Sequence, residues 1–184
     1  MVHPSDCPRR ALVRASIREI PDFPKPGILF QDITTLLLDP VAFQTCIDLL
    51  LERVRGHQLD AVCAFESRGF PFGAPLALAL GLPLVLLRKP KKLPGAVLSE
   101  SYALEYGTDT MEMHVGALKE GQRVLLVDDL VATGGTLAAG ARLVARAGAV
   151  AVEAVCIIEL PELKGREKLG DGLPLFALLD VEGA

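Results

Sequence analysis

Residues 124–136 read Val-Leu-Leu-Val-Asp-Asp-Leu-Val-Ala-Thr-Gly-Gly-Thr, and this stretch limits the possible folds more than any other part of the chain. Val124 to Val127 form a short apolar run that predicts a buried strand. Asp128 and Asp129 follow it, then a turn of small residues containing Ala132, Thr133, Gly134, Gly135 and Thr136, and then a helical run from Leu137 to Ala147. Gly134 and Gly135 lack a Cβ, so backbone N–H groups can close around an oxyanion. Thr133 and Thr136 can add hydroxyl donors, and the following helix brings its positive dipole end to the same point. The turn therefore suits a phosphate. The two carboxylates would repel a bare phosphate, so the fitting ligand carries phosphate at one end and hydroxyl groups or a metal at the other, as a sugar phosphate does.

The rest of the chain supplies an ordinary globular setting. Its 184 residues, 51% hydrophobic and 23% charged, are enough for one domain with a full core, so a single domain over 1–184 is expected. The net charge of −4 argues against a general nucleic-acid binder. The longest apolar stretch, Ala74 to Leu87, is interrupted by Gly81 and Pro83 and is too short to span a bilayer, while Pro4, Asp6 and Pro8 break any leader pattern. A cytoplasmic protein with neither membrane nor nucleic-acid partner is the expectation. Cys7, Cys46, Cys63 and Cys156 form no C-x-x-C pair, and His3, His57 and His114 are isolated, which favours neither a disulfide framework nor a metal cluster. Cys46, Cys63 and Cys156 sit in apolar patterns and read as small core residues.

Apolar residues at 12, 13, 17 and 20 predict a helix over Arg9 to Ile20, stopped by Pro21. The proline-rich Pro21 to Gly27 must be a shaped loop, and Ile28 to Phe30 bring apolar side chains to an edge. Asp39-Pro40 is a helix start, followed by a strand over Asp60 to Phe65, a helix over Gly69 to Leu80 and a strand over Leu84 to Leu87. Between Arg88 and Met113 the pattern loosens and reads as a lid, within which Ser101 to Gly107 alternates like an exposed strand or hairpin arm. Val150 to Ile158 and Leu173 to Leu179 complete the strands. Alternating strands and helices define the α/β class, with a mostly parallel twisted sheet.

Further chemistry lies outside the opening stretch. Glu66-Ser67-Arg68-Gly69 follows a strand end, where open α/β sheets place ligands, and Arg68 could fork two hydrogen bonds onto a pyrophosphate. The bland alternative is a solvated Arg68 paired with Glu66. Arg88, Lys91 and Lys92 offer cationic charge, or else a solvated basic loop; Arg88 is better fixed because it directly follows a strand. Glu105 and Tyr106 fit either a closing loop that exchanges a proton with a heterocyclic base, or an exposed hairpin.

The opening motif resembles the phosphoribosyl-diphosphate (PRPP) motif of type I phosphoribosyltransferases. Leu93-Pro94-Gly95, Tyr102-Ala103-Leu104-Glu105-Tyr106-Gly107 and Leu163-Lys164-Gly165-Arg166-Glu167-Lys168-Leu169 together resemble the adenine phosphoribosyltransferases, a likeness that runs from Pro21 to the final strand. The resemblance implies an open twisted sheet with a small N-terminal hood, about 1–35, and a lid, about 88–113. It implies that Asp128 and Asp129 contact the ribose hydroxyls, and that Ala132, Thr133, Gly134, Gly135 and Thr136 hold the 5-phosphate. Glu66, Ser67, Arg68, Arg88 and Lys92 would bind pyrophosphate, with a cis peptide at Glu66-Ser67. Leu29, Phe30, Gln31 and Leu160 would form the adenine pocket, Glu105 and Arg68 would be catalytic, and Tyr106 would close the lid. The implied reaction is purine salvage: transfer of 5-phosphoribosyl from PRPP to N9 of adenine, giving AMP and pyrophosphate. It would use Mg²⁺ held mainly by PRPP, with Asp128 and Asp129 helping indirectly, in a homodimer. Gln31, Glu66 and Lys91 depart from residues common in that family.

Other classes fit less well. A phosphoribosyltransferase for xanthine, hypoxanthine or a pyrimidine shares the opening motif, and a nucleotide-sensing regulator could keep the same fold. The regulator would be expected to carry a nucleic-acid-binding module or a basic face. A P-loop enzyme lacks its G-x-x-x-x-G-K-[ST] here, and a dinucleotide enzyme lacks a G-x-G-x-x-G after a strand.

Overall fold

A computed structural model describes residues 7–103, 108–170 and 172–182. Five parallel strands form the central sheet: β3 (Ala61–Phe65), β4 (Leu84–Leu87), β7 (Arg123–Val131), β8 (Val150–Glu159) and β9 (Leu175–Asp180), in the spatial order β4-β3-β7-β8-β9. From β3 the chain steps outward to β4, and from β7 it steps the other way to β8 and β9. The order therefore reverses between β3 and β7, the kind of switch point at which open α/β sheets hold ligands.

Side-chain alternation sorts the core into two layers. Val62 and Ala64 of β3 join Leu125 and Val127 of β7 under α3 (Pro40–Val54) and α4 (Phe70–Leu80). Ala61, Cys63 and Phe65 point the other way and pack with Val124, Leu126 and residues of α5 (Gly135–Arg146). Asp39 caps α3 as its sequence suggests, accepting from the backbone N–H of Val41 and Ala42. Cys46, Cys63 and Cys156 are free, buried thiols; burial pushes the first two up to about 12. Among the described residues no helix is long and apolar enough to cross a membrane.

Three expectations need correction. The predicted helix over Arg9 to Ile20 stops early: α1 spans Pro8–Ala15, and Arg18–Pro21 is instead strand β1, paired antiparallel with β2 (Leu29–Asp32) so that Ile20 faces Phe30. Side chains hold this ribbon: the Arg18 guanidinium donates to Asp32 at 2.5 Å, and the Thr35 hydroxyl both donates to the Ser16 carbonyl and accepts the Arg18 N–H. Strand pairing overrides the helical spacing of Ile17 and Ile20. α2 (Thr34–Leu38) then leads into α3.

The second correction concerns Arg88 to Met113, which is far more regular than its loose pattern suggests. β5 (Val97–Ala103) and β6 (Thr108–His114) pair antiparallel throughout. Tyr102, Met111 and Met113 are buried against the α5 layer, and Glu100 binds Arg142 and Arg146 of α5. Among the described residues of this hairpin Leu98, Tyr102, Met111 and Met113 pack inward, too few to give a strong sequence signal.

The third correction lies in β7, which does not end before the acidic pair. Pairing with β8 continues through Asp128, Leu130 and Val131, whereas pairing with β3 stops at Val127 because β3 ends at Phe65. One edge of β7 past Val127 is therefore released beside the segment that follows β3.

Candidate functional site

The segment after β3 and the end of β7 face each other across a cleft of about 340 Å³, lined by Glu66, Ser67, Arg68, Lys89 and residues 128–137. Asp128 and Asp129 are both buried, at 8% and 5% exposure, although among the described residues only Asp129 has an ion-pair partner. Asp129 accepts from Arg68 Nε at 2.5 Å, and its own N–H donates to Asp128 Oδ1 at 2.9 Å. Burial first, and then the charge of Asp129, raises the Asp128 carboxyl well above the ordinary value of 3.8. The cleft thus stores an unfavourable charge arrangement that hydroxyl donors or a cation would relieve. Arg68 also lies over the ring of Phe30, its guanidinium carbon 5.7 Å from the centroid, and Phe23 packs edge-on against that ring at 5.0 Å. Phe30, Arg68 and Asp129 are therefore in direct succession, which joins the aromatic edge to the acidic pair.

The phosphate-type turn is held by backbone contact. α5 starts at Gly135 with no side-chain cap, so its first N–H groups remain available to an anion. Gly134 has φ +76°, and a Cβ there would stand 2.1 Å from the carbonyl oxygen of Gly165. A Cβ on Gly165 would in turn meet the Ala132 carbonyl at 2.4 Å. Gly165 opens the short helix α6 (Gly165–Leu169), whose Arg166 binds buried Glu159 at 2.7 Å and the Leu175 carbonyl at 2.6 Å. That clamp fixes α6, and with it the turn. The residues that shape the cradle therefore include Gly165, Arg166 and Glu159, none of which stood out as a site residue. Their signal lies within Leu163 to Leu169, legible only as part of a family pattern.

The Glu66–Ser67 peptide is cis, in agreement with the resemblance. Glu66 does not pair with Arg68, as the bland reading would have it. Instead its Oε2 accepts from Arg88 Nε and from the Lys89 backbone N–H, each at 3.0 Å. Arg88 also donates to the Lys92 carbonyl at 3.2 Å. Neither Arg88 nor Lys92 lines the cleft, but Lys89 does, a residue hidden in the sequence among its basic neighbours. Leu29 and Phe30 are half-buried and Gln31 is buried in β2. Leu160 follows β8 and donates its N–H to the carbonyl of Val131 at 3.0 Å, which places it beside the end of β7. Glu105 and Tyr106 lie outside the described residues.

At the switch point of this parallel α/β sheet an acidic pair, an uncapped glycine turn and an arginine loop come together. The Phosphoribosyl transferase domain model matches residues 33–171, most of the chain. Adenine phosphoribosyltransferase 1 of Triticum aestivum is 61% identical over 170 residues, covering 92% of this chain and 93% of the relative. The crystal structure of adenine phosphoribosyltransferase from Thermoanaerobacter pseudethanolicus superposes with a TM-score of 0.91 at 49% identity, covering 94% of this chain and 99% of that one. That of the Saccharomyces cerevisiae enzyme, complexed with an imino-altritol bisphosphate and adenine, gives 0.88 at 40% identity over 94% and 99%. The chain belongs to the phosphoribosyltransferase family and, within it, to the adenine phosphoribosyltransferases.

The charge arrangement has a measurable consequence for stability. A carboxyl whose folded value is raised favours the native state below its unfolded value, near 3.8 for Asp128, and progressively opposes it as the pH rises. Asp128→Asn is therefore expected to raise the thermal midpoint of the ligand-free protein at pH 7.5, with the gain shrinking as the pH falls toward 4. A variant less stable than the parent at pH 7.5 would contradict the assigned strain.

Proposed function

We propose that this cleft binds PRPP, with the ribose hydroxyls on Asp128 and Asp129, the 5-phosphate in the turn from Ala132 to Thr136 and the pyrophosphate against Ser67 and Arg68, while the chain transfers the 5-phosphoribosyl group to N9 of adenine. The observation that carries this reading is the convergence, at one switch point, of a buried acidic pair, an uncapped glycine turn and an arginine that touches both Asp129 and the aromatic edge. Bonding to Asp129 through Nε leaves the terminal nitrogens of Arg68 to fork onto phosphate oxygens. Leu29, Phe30, Gln31 and Leu160 supply the adenine pocket, with Phe30 stacking on the base; the adenine bound to the yeast relative supports this acceptor.

In the reaction the N9–C1 bond forms as the C1–oxygen bond to pyrophosphate breaks, and the electron pair leaves with pyrophosphate. Positive charge develops on the ribose ring and negative charge on the leaving group. Catalysis then rests on positioning and on stabilising the leaving group, for which Arg68 is placed. Arg88 acts indirectly: tied to Glu66 and to the Lys92 carbonyl, it orders the loop that presents Ser67 and Arg68. Glu105 takes the N9 proton, and Tyr106 closes over the site to keep water from PRPP.

Among the described residues no group of three or more metal-ligating side chains is present, and of the three carboxylates that line the cleft Asp129 is engaged by Arg68 and Glu66 by Arg88. Such a donor set fits Mg²⁺ held chiefly by PRPP oxygens and water, with Asp128 and Asp129 as indirect supports. When bound, Mg²⁺ would neutralise charge on the leaving pyrophosphate. The exposed Leu38, Val41 and Leu78 on helices α2 to α4 support a homodimer.

The test is AMP formation from adenine, PRPP and Mg²⁺, with hypoxanthine, xanthine and uracil as competing acceptors. Adenine is expected to be strongly preferred. The double substitution Asp128→Asn and Asp129→Asn is expected to lower kcat/KM by at least about 100-fold with the fold intact, and Glu105→Ala to lower kcat with little change in KM. Near-normal turnover in the double variant would remove the ribose-binding role.

A further inference from the structure

Lys89 is a cleft residue whose charge is engaged outside the cleft, by the β5–β6 hairpin. Its backbone is fixed on both sides: its N–H donates to Glu66, and the preceding Arg88 exchanges two backbone hydrogen bonds with Glu112 of β6 at 2.9 and 2.7 Å. The side chain lines the cleft, yet its ammonium turns to the hairpin, where it donates to the Tyr102 hydroxyl at 2.9 Å and to Asp109 Oδ2. Tyr102 in turn donates to the same Asp109 oxygen at 3.1 Å. An ammonium has three donors, and the hairpin occupies two of them. Lys89 and Asp109 remain partly exposed, at 36% and 27%, so an incoming polyanion can reach the pair.

We propose that Asp109 is a positioning residue that competes with the pyrophosphate end of the substrate for the Lys89 ammonium, so that occupancy of the cleft loosens the grip of Lys89 on the β5–β6 hairpin. The inference rests on reading the cleft as a PRPP site. Its physical basis is that a multiply charged pyrophosphate attracts one flexible ammonium more strongly than a single partly exposed carboxylate does. The backbone of Lys89 need not move, because the exchange is made by its four-carbon stem. The Tyr102 hydroxyl, bonded to both partners, reports the exchange.

The chain contains two tyrosines and no tryptophan, so Tyr106→Phe leaves Tyr102 as the sole source of tyrosine emission. Pyrophosphate with Mg²⁺ is titrated by calorimetry into the unaltered parent and into versions carrying Asp109→Asn, Asp109→Ser or Lys89→Met, and by tyrosine emission into the same set with Tyr106→Phe added. Either Asp109 substitution is expected to tighten pyrophosphate binding roughly three- to fivefold, the size of a partly exposed ion pair. Lys89→Met is expected to weaken binding, and adding Asp109→Asn to it should restore nothing. Tyr102 emission should change with pyrophosphate in the parent and stay flat once Asp109 is replaced. Unchanged or weaker binding in both Asp109 variants, or an equal gain with Lys89 absent, would overturn the competition. A parent that binds no pyrophosphate would overturn the cleft assignment with it, whereas binding that is indifferent to Asp109 would overturn this inference alone.

Discussion

The placement of Asp128 and Asp129 sets the terms for everything around them. β7 outruns β3 by several residues, so its end is paired on the β8 side and released on the other. Two adjacent carboxylates are thereby held in a buried position by a strand too well anchored to let them swing into water. Burial raises the Asp128 carboxyl, and a single guanidinium, that of Arg68, offsets the charge of the pair. Among the described residues Asp128 is left with one backbone N–H and no guanidinium of its own, an arrangement in which burial beside a like charge disfavours the ionised form. Carboxyls perturbed in this way cluster at functional sites.

The neighbouring elements make sense as supports for that pair. Arg68 is held by Asp129 and rests on Phe30, so the position of one side chain links the aromatic edge of β2 to the acidic end of β7. Glu66 holds Arg88 and the Lys89 backbone, ordering the loop that presents Arg68. On the far side, Arg166 pinned to buried Glu159 sets α6 in place, and Gly165 fills the space against Gly134 that a side chain would need. The turn after β7 thus owes its shape to a helix thirty or so residues later in sequence, through contacts between main chains.

Much of this was legible beforehand. Apolar runs marked β3, β4 and β8 at close to their full lengths and marked the first part of β7, and Asp39-Pro40 marked the start of α3, because each signal is local. The cradle was legible for the same reason, since strand, acids, turn and helix are contiguous. What escaped notice depends on pairing at a distance. Ile20 kept helical spacing but found Phe30 across a ribbon, and the β5–β6 hairpin is ordered by a few inward side chains, Tyr102, Met111 and Met113 chief among them, and by two arginines on α5. Lys89 looked like its basic neighbours, and only the fold turns it toward the cleft while Arg88 turns to Glu66. Gly165 looked like any turn glycine until its opposite number was known.

The central claim is that the acidic pair recognises sugar hydroxyls while the glycine turn recognises phosphate. The most direct measurement compares equilibrium binding of ribose 5-phosphate with that of its 2,3-dideoxy analogue, in the parent and in the Asp128→Asn, Asp129→Asn double variant. Loss of the hydroxyls is expected to weaken binding about tenfold or more in the parent and hardly at all in the double variant, since hydrogen bonds to charged groups contribute about 1.5–3 kcal/mol each. Equal affinity of the parent for the two sugars would contradict it.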